Sequence, residues 1–199
     1  TWLVRKFWPV PGWKPESVVQ LDGSCRRKII VYYTDNSLPG NLMRLAQDRL
    51  RESAGGLPIV CVSQRPLTFG DINICVGDLG RSHLSLFKQL WAGVEAAPGD
   101  TIFLAEHDVL YSPDHFQAVL HTEDKFCYNT NVVYGFLEGR RAGTYEQADG
   151  GRKLLSQLMC GREALLAALK ERFSLLEQGF AVPRGLTGMC EPGANEKVF

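Results

Sequence analysis

The strongest constraint on this chain is a series of unbroken apolar segments that alternate, between residues 28 and 105, with segments of helical period. Lys28-Ile29-Ile30-Val31-Tyr32-Tyr33-Thr34 is rich in β-branched and aromatic side chains, and Asp35-Asn36-Ser37-Leu38-Pro39-Gly40 behind it is turn chemistry. Leu42, Leu45, Ala46 and Leu50 then recur on one helical face, with Arg44, Gln47, Asp48 and Arg51 on the other. Gly55-Gly56 stops that helix, residues 58–62 read as a second strand, and residues 72–76 read as a short third one. Gly80-Arg81-Ser82 opens another helix, with Leu86, Phe87, Leu90, Trp91 and Val94 as its apolar face. Pro98-Gly99-Asp100 closes it before the apolar strand Thr101-Ile102-Phe103-Leu104-Ala105. Strands that are apolar on both sides must be covered on both sides. The order strand, helix, strand, strand, helix, strand therefore predicts an α/β fold, with a Rossmann-like, mostly parallel sheet between helices.

The remaining sequence is less regular. Residues 126–134 and 154–159 read as strands, and residues 162–176 as a long helix carrying Leu165, Leu166, Leu169, Phe173 and Leu176. Residues 138–152 are polar and glycine-rich, which predicts a loop. Residues 1–24 differ from everything after them. They carry Trp2, Phe7, Trp8 and Trp13 with three prolines and no helical period, so they read as an extended or irregular arm. One domain is expected over residues 25–199.

Composition excludes several classes. Lys plus Arg and Asp plus Glu both number 22, so any polyanionic partner must be met by a local patch rather than by net charge. No apolar run is long enough to span a bilayer, and Thr1-Trp2-Leu3-Val4-Arg5-Lys6 is not patterned as a signal peptide, so no membrane is expected. The six cysteines (25, 61, 75, 127, 160 and 190) are scattered without a CxxC pair. They read as buried free thiols in a reducing cytoplasm, not as a disulfide scaffold or zinc site.

Open α/β sheets bind ligands at the carboxyl ends of their strands. After the fourth strand comes Glu106-His107-Asp108. On an extended stretch two carboxylates two residues apart face the same way, with His107 facing the other. Mg²⁺ or Mn²⁺ is held by one or two carboxylates and fills its shell with water and phosphate oxygens, so Glu106 and Asp108 are candidate metal ligands. The alternative is a plain polar strand end, with Asp108 capping the turn.

The run Thr101-Ile102-Phe103-Leu104-Ala105-Glu106-His107-Asp108-Val109-Leu110-Tyr111 resembles the acidic metal motif of GT-A-type glycosyltransferases, with Glu-His-Asp where Asp-x-Asp is usual. Together with Phe126-Cys127-Tyr128-Asn129-Thr130-Asn131-Val132 it most resembles the TET-associated glycosyltransferases, which are linked to sugar addition on hydroxymethylated pyrimidines in phage and microbial DNA. The similarity spans about residues 28–173. It implies a GT-A-like domain with a nucleotide-binding half at about 25–111 and an acceptor half at about 112–199, in a bacterial or phage-infected cell. It also implies a metal-dependent hexosyltransferase that uses a UDP-sugar, UDP-glucose in the first instance. Asp108 would be the central catalytic and metal-binding residue.

On that resemblance Tyr33, Thr34 and Asp35 would contact the uracil and ribose, unless Asp35 serves only an Asx-turn with Asn36 and Ser37. The amides that follow Gly80, with Arg81, suit a diphosphate, while Ser82 is either a ligand contact or a helix N-cap. Glu106 and His107 would also border the donor. Whichever of Lys88 and Gln89 points at the strand ends would reach the donor sugar. Asn129 and Asn131, alternate residues on a strand, would share a face toward sugar hydroxyls or the acceptor, or else satisfy a buried turn. Glu163 is a candidate catalytic base, or an ordinary first-turn carboxylate that offsets the helix dipole, and Asp149 is a similar candidate. His83, His115 and His121 have no metal-ligand spacing. Glu191-Pro192-Gly193 could fold over the donor or form a frayed tail.

For the acceptor, Arg5, Lys6, Trp8, Trp13 and Lys14 combine cations with stacking surfaces, as single-stranded or flipped bases in DNA require, and Arg26-Arg27-Lys28 would extend that patch. The alternative is an arm that packs its tryptophans on the domain. Three rival readings stay open: a transferase of the same fold acting on a glycan or protein, a non-catalytic nucleotide-binding module, and a nucleotidyltransferase. The lack of a glycine- and lysine-rich phosphate loop near Asp35 speaks against the last.

Overall fold

The computed structural model describes residues 3–6, 27–136, 140, 142–147 and 153–178. The chain runs β1 (Leu3–Lys6), β2 (Lys28–Thr34), α1 (Gly40–Ala54), β3 (Ile59–Ser63), β4 (Ile72–Cys75), α2 (His83–Ala96), β5 (Thr101–Glu106), β6 (Val109–Leu110), α3 (Pro113–Gln117), β7 (Phe126–Tyr128), β8 (Val133–Phe136), β9 (Tyr145–Gln147), β10 (Leu158–Gly161) and α4 (Arg162–Glu177). A six-stranded sheet has the order β4-β3-β2-β5-β10-β7. β4, β3, β2 and β5 are mutually parallel, while β10 runs antiparallel to both β5 and β7. The alternating pattern of the sequence thus gives the α/β class with a mostly parallel sheet flanked by helices.

Burial explains why these strands are apolar throughout. Ile29, Val31, Tyr33, Val60, Val62, Ile102 and Leu104 point to one side, where they pack with Phe87, Leu90 and Val94 of α2 and with Leu165 and Leu169 of α4. Ile30, Tyr32, Ile59, Cys61, Phe103 and Ala105 point to the other side, against Leu50 and Ala54 of α1 and Phe116 of α3. Each large side chain so buried contributes roughly 1.5–3 kcal/mol. α2 lies so close to the sheet that a Cβ at Gly93 would sit 2.5 Å from Cγ1 of Val31 and 2.8 Å from Cγ2 of Val62. α1 ends where expected, at Gly55 in the left-handed conformation with φ 59°.

Several details differ from the sequence reading. Leu45 is 49% exposed, and α1 instead buries Ala46, Gln47, Leu50, Ser53 and Ala54. β4 is an edge strand, and Cys75 at its end is exposed, whereas Cys61 and Cys160 are buried as expected. The segment 126–134 is two strands in two sheets, because the chain leaves β7 at Asn129. Residues 154–159 begin with a 3-10 turn, Leu155–Gln157, before β10. β1, from the amino-terminal arm, is one of the two inner strands of a second sheet of order β6-β1-β8-β9, with Arg5 in register with Val109 and Tyr134. Among the described residues no helix is long and apolar enough to cross a membrane.

Candidate functional site

A cleft of about 540 Å³ opens at the carboxyl ends of β2, β3 and β5, beside the amino end of α2. Its walls include Tyr33, Thr34, Asp35, Gln64, Arg81, Ser82, Gln89, Glu106, His107 and Asp108. Strand register builds its floor. Tyr33 of β2 lies opposite Glu106 of β5, and both follow the face set by Val31 and Leu104. The Tyr33 phenol accordingly donates a 2.7 Å hydrogen bond to Oε1 of Glu106.

Beyond Glu106 the chain turns at His107 and Asp108 and enters β6. An extended course would send His107 away from the two carboxylates. Because the chain turns, all three side chains border the cleft, and Nε2 of His107 lies 3.8 Å from Oδ1 of Asp35. The first rule applied to this motif, alternation along a strand, therefore fails at its second residue.

Asp35 closes the Asx-turn expected of it and also lines the cleft. Its Oδ1 accepts hydrogen bonds from the Ser37 amide at 2.9 Å and the Ser37 hydroxyl at 2.5 Å, closing the Asx-turn. Its Oδ2 meets Nε of Arg81 at 2.7 Å across the cleft mouth. Burial alone would raise the Asp35 pKa. The Ser37 hydroxyl and amide, aided by His107 and Arg81, outweigh it and hold the carboxyl below its ordinary 3.8. Ser82 is the N-cap of α2, its Oγ accepting from the Ser85 amide at 3.0 Å, and it also lines the cleft. First-turn N–H groups of a helix lack helical acceptors, so this end of α2 favours an anion. Of Lys88 and Gln89, it is Gln89 that reaches the strand ends, donating from Nε2 to the Thr34 carbonyl at 2.7 Å, while Lys88 is exposed.

Three carboxylates (Asp35, Glu106 and Asp108) share the cleft with one guanidinium (Arg81), so acidic groups predominate in it. Asp108 has no hydrogen-bond or ion-pair partner among the described residues. Nor do those residues contain a cluster of three or more His, Cys, Asp or Glu side chains arranged to enclose an ion. This donor set does not form a cage. It fits a hard cation held by one or two carboxylates and completed by water and phosphate oxygens.

The structure separates three other candidates from this cleft. Glu163 is in the first turn of α4, which follows Gly161, and Gly161 is paired with Thr101 at the amino end of β5. It is exposed, hydrogen-bonded to Arg162, and borders a different hollow of about 340 Å³ that also includes Arg27, Asp100 and Glu123. Glu163 therefore does not reach this cleft as a base: β10 runs against β5 and delivers it to the opposite end of the strands. Asn129 and Asn131 are not alternate residues of a strand. They form a turn in which the Asn131 amide donates to Oδ1 of Asn129 at 2.9 Å, and Nδ2 of Asn129 meets Nδ1 of His115 at 3.2 Å. Asn129 nevertheless sits at the same edge as Glu106, since its amide donates to the Gln157 carbonyl beside the start of β10.

Arg5 and Lys6 belong to β1, whose backbone alone is described. Trp8, Trp13, Lys14, Arg26, Asp149 and Glu191 lie outside the described residues, as does most of the 138–152 loop. Gln64 and Ser85 line the cleft without having been singled out. Gln64 directly follows β3, so the strand-end rule points to it as well. It braces the loop before α2, donating to the Gly80 carbonyl at 2.8 Å and accepting from the Leu79 amide at 3.0 Å.

Compared with known proteins, the chain matches no family model, no curated protein and no solved structure.

Proposed function

We propose that the protein is a metal-dependent glycosyltransferase of GT-A type that moves a sugar, glucose in the first instance, from a UDP-sugar to a hydroxymethylated pyrimidine in DNA. The observation that carries this reading is the convergence of Asp35, Glu106 and Asp108 with Arg81 in one cleft at the ends of parallel strands. The charge balance supports a cation in particular. A bare diphosphate would be repelled by carboxylates that outnumber the one guanidinium, whereas a divalent cation between them would offset that repulsion.

In this reading Asp108 and Glu106 hold Mn²⁺ or Mg²⁺, with Glu106 braced by Tyr33. The metal when bound supplies neutralisation of the charge that develops on the departing diphosphate. Arg81 and the amino end of α2 bind the phosphates, for which Arg81 must leave Asp35 or share it. Thr34 and Asp35 receive the nucleoside, and Gln89 fixes the Thr34 carbonyl they depend on. Asn129, which follows β7 two strands from β5, would meet sugar hydroxyls or the acceptor. The DNA would be met by the arm through Arg5, Lys6, Trp8, Trp13 and Lys14, cations for phosphates and indoles for stacking.

The test is to incubate the protein with Mn²⁺, a panel of UDP-sugars, and DNA containing hydroxymethylcytosine or hydroxymethyluracil, then digest and weigh the nucleosides. A modified nucleoside heavier by one hexose, formed only with metal, supports the proposal. UDP-sugar hydrolysis without transfer to DNA moves the acceptor to a glycan or protein, and a lack of both leaves a nucleotide-binding module.

A further inference from the structure

The Tyr111 side chain stands between the acidic turn and the rest of the fold. Tyr111 is 5% exposed, and its hydroxyl serves two backbone groups at once. It accepts the amide N–H of Glu106 at 3.0 Å and donates to the carbonyl of Ser156 at 2.9 Å. The first bond closes a short loop from Glu106 through His107 and Asp108 and back to Tyr111. The second ties that loop to the Leu155–Gln157 turn, whose Gln157 carbonyl carries the Asn129 amide at 3.1 Å. The Tyr111 ring is locked by packing against His115 and Phe116, with centroids 5.0 and 5.3 Å away. Its own carbonyl is anchored by the Ser53 hydroxyl of α1 at 2.6 Å.

We infer that Tyr111 is the positioning residue of the metal site: its hydroxyl fixes the curvature of the Glu106-His107-Asp108 turn and couples it to the Asn129 strand end. The inference rests on the assignment of a cation to this cleft. Without the hydroxyl, the Glu106 amide and the Ser156 carbonyl lose a shared partner, and the turn loses a tie that fixes its course. Side chains that orient metal ligands from behind typically change metal affinity by about 10- to 100-fold when removed. Tyr111 does not line the cleft. The effect is therefore expected in affinity and in the order of the turn, not in chemistry at the phenol.

The test compares Tyr111→Phe, which keeps the ring, with Ser53→Ala, which removes the other anchor of Tyr111 and leaves the Glu106 bond in place. Mn²⁺ binding in the presence of UDP is titrated by electron paramagnetic resonance at a temperature where both variants are fully folded, and amide exchange is followed at Glu106. The expected result is Mn²⁺ affinity lowered about tenfold or more in Tyr111→Phe, with faster exchange at Glu106, and affinity within about twofold of the parent in Ser53→Ala. Parent-like affinity in Tyr111→Phe overturns the inference while leaving the metal assignment standing. Equal losses in the two variants also overturn it, since they would make Tyr111 a fold residue only. A parent protein that binds no Mn²⁺ with UDP sinks the metal assignment, and the inference with it.

Discussion

Tyr33 and Glu106 occupy matched positions on neighbouring parallel strands, and the phenol of one donates to the carboxylate of the other at 2.7 Å. This pairing turns a strand-end glutamate into a fixed group. One carboxylate oxygen is oriented by the sheet itself, whereas Asp108, two residues on, lies in the turn.

Tyr33→Phe removes the hydroxyl and keeps the buried ring. The lost hydrogen bond costs about 1 kcal/mol of stability, which for a chain of this size lowers the melting temperature by about 2–4 °C. Mn²⁺-dependent binding of UDP weakens in the same variant. Calorimetry and a binding titration check both, and a variant that melts lower but binds as the parent does would remove Glu106 from the metal site.

Asp108→Ala leaves the fold intact, because Asp108 is half-buried and has no hydrogen-bond or ion-pair partner among the described residues. Its unfolding free energy stays within about 0.5 kcal/mol of the parent. Mn²⁺-dependent hydrolysis of UDP-glucose is abolished. Near-normal turnover in this variant would refute the metal assignment.

His115 makes stability depend on pH. Burial pushes its pKa from the ordinary 6.5 down to about 4, so the folded protein keeps it neutral where the unfolded chain protonates it. The folded state is at no disadvantage above 6.5. As pH falls below that value the unfolded chain gains a proton that the folded one refuses, and stability declines until the folded pKa is reached. The decline is on the order of 3 kcal/mol in total. Urea unfolding at pH 7 and at pH 4.5 should show it, and a His115→Gln variant should flatten the contribution. A parent and variant with identical slopes over that interval would contradict the assignment.

Gly93→Ala sets two effects against each other. Alanine is the better helix former by about 1 kcal/mol, but its Cβ would overlap the methyl groups of Val31 and Val62 at 2.5 and 2.8 Å. Overpacking of a filled core costs about 1–3 kcal/mol, and contacts this short lie at the upper end, so the variant is less stable. A rise in its melting temperature would show that α2 can move off the sheet freely.

Much of this architecture is legible in the sequence because periodicity reports burial directly. Ile29 to Tyr33 are apolar on both faces because α1 and α3 cover one face and α2 and α4 the other. The strand-end rule then gathers Tyr33, Thr34, Asp35, Glu106, His107 and Asp108 at one end of the strands, and Arg81 and Ser82 join them from just before α2, with Gln89 from within it. The rule misleads where strand direction is not written in the residues. Leu158–Gly161 reads the same forward or reversed, and only its antiparallel pairing with β5 shows that Glu163 emerges at the wrong edge. The division of residues 126–134 is equally hidden, since an asparagine that closes a turn through its own side chain looks like one on a strand. Tyr111 escaped notice because its contribution is a hydroxyl placed between two backbone groups far apart in sequence.

A crystal grown with Mn²⁺ and UDP, read through the anomalous signal of the metal, decides whether the acidic turn holds a cation. The expected result is a manganese peak bonded to the Asp108 carboxylate, with the diphosphate between it and Arg81 and the nucleoside beside Asp35. Manganese and UDP bound away from the Glu106-His107-Asp108 turn would contradict it.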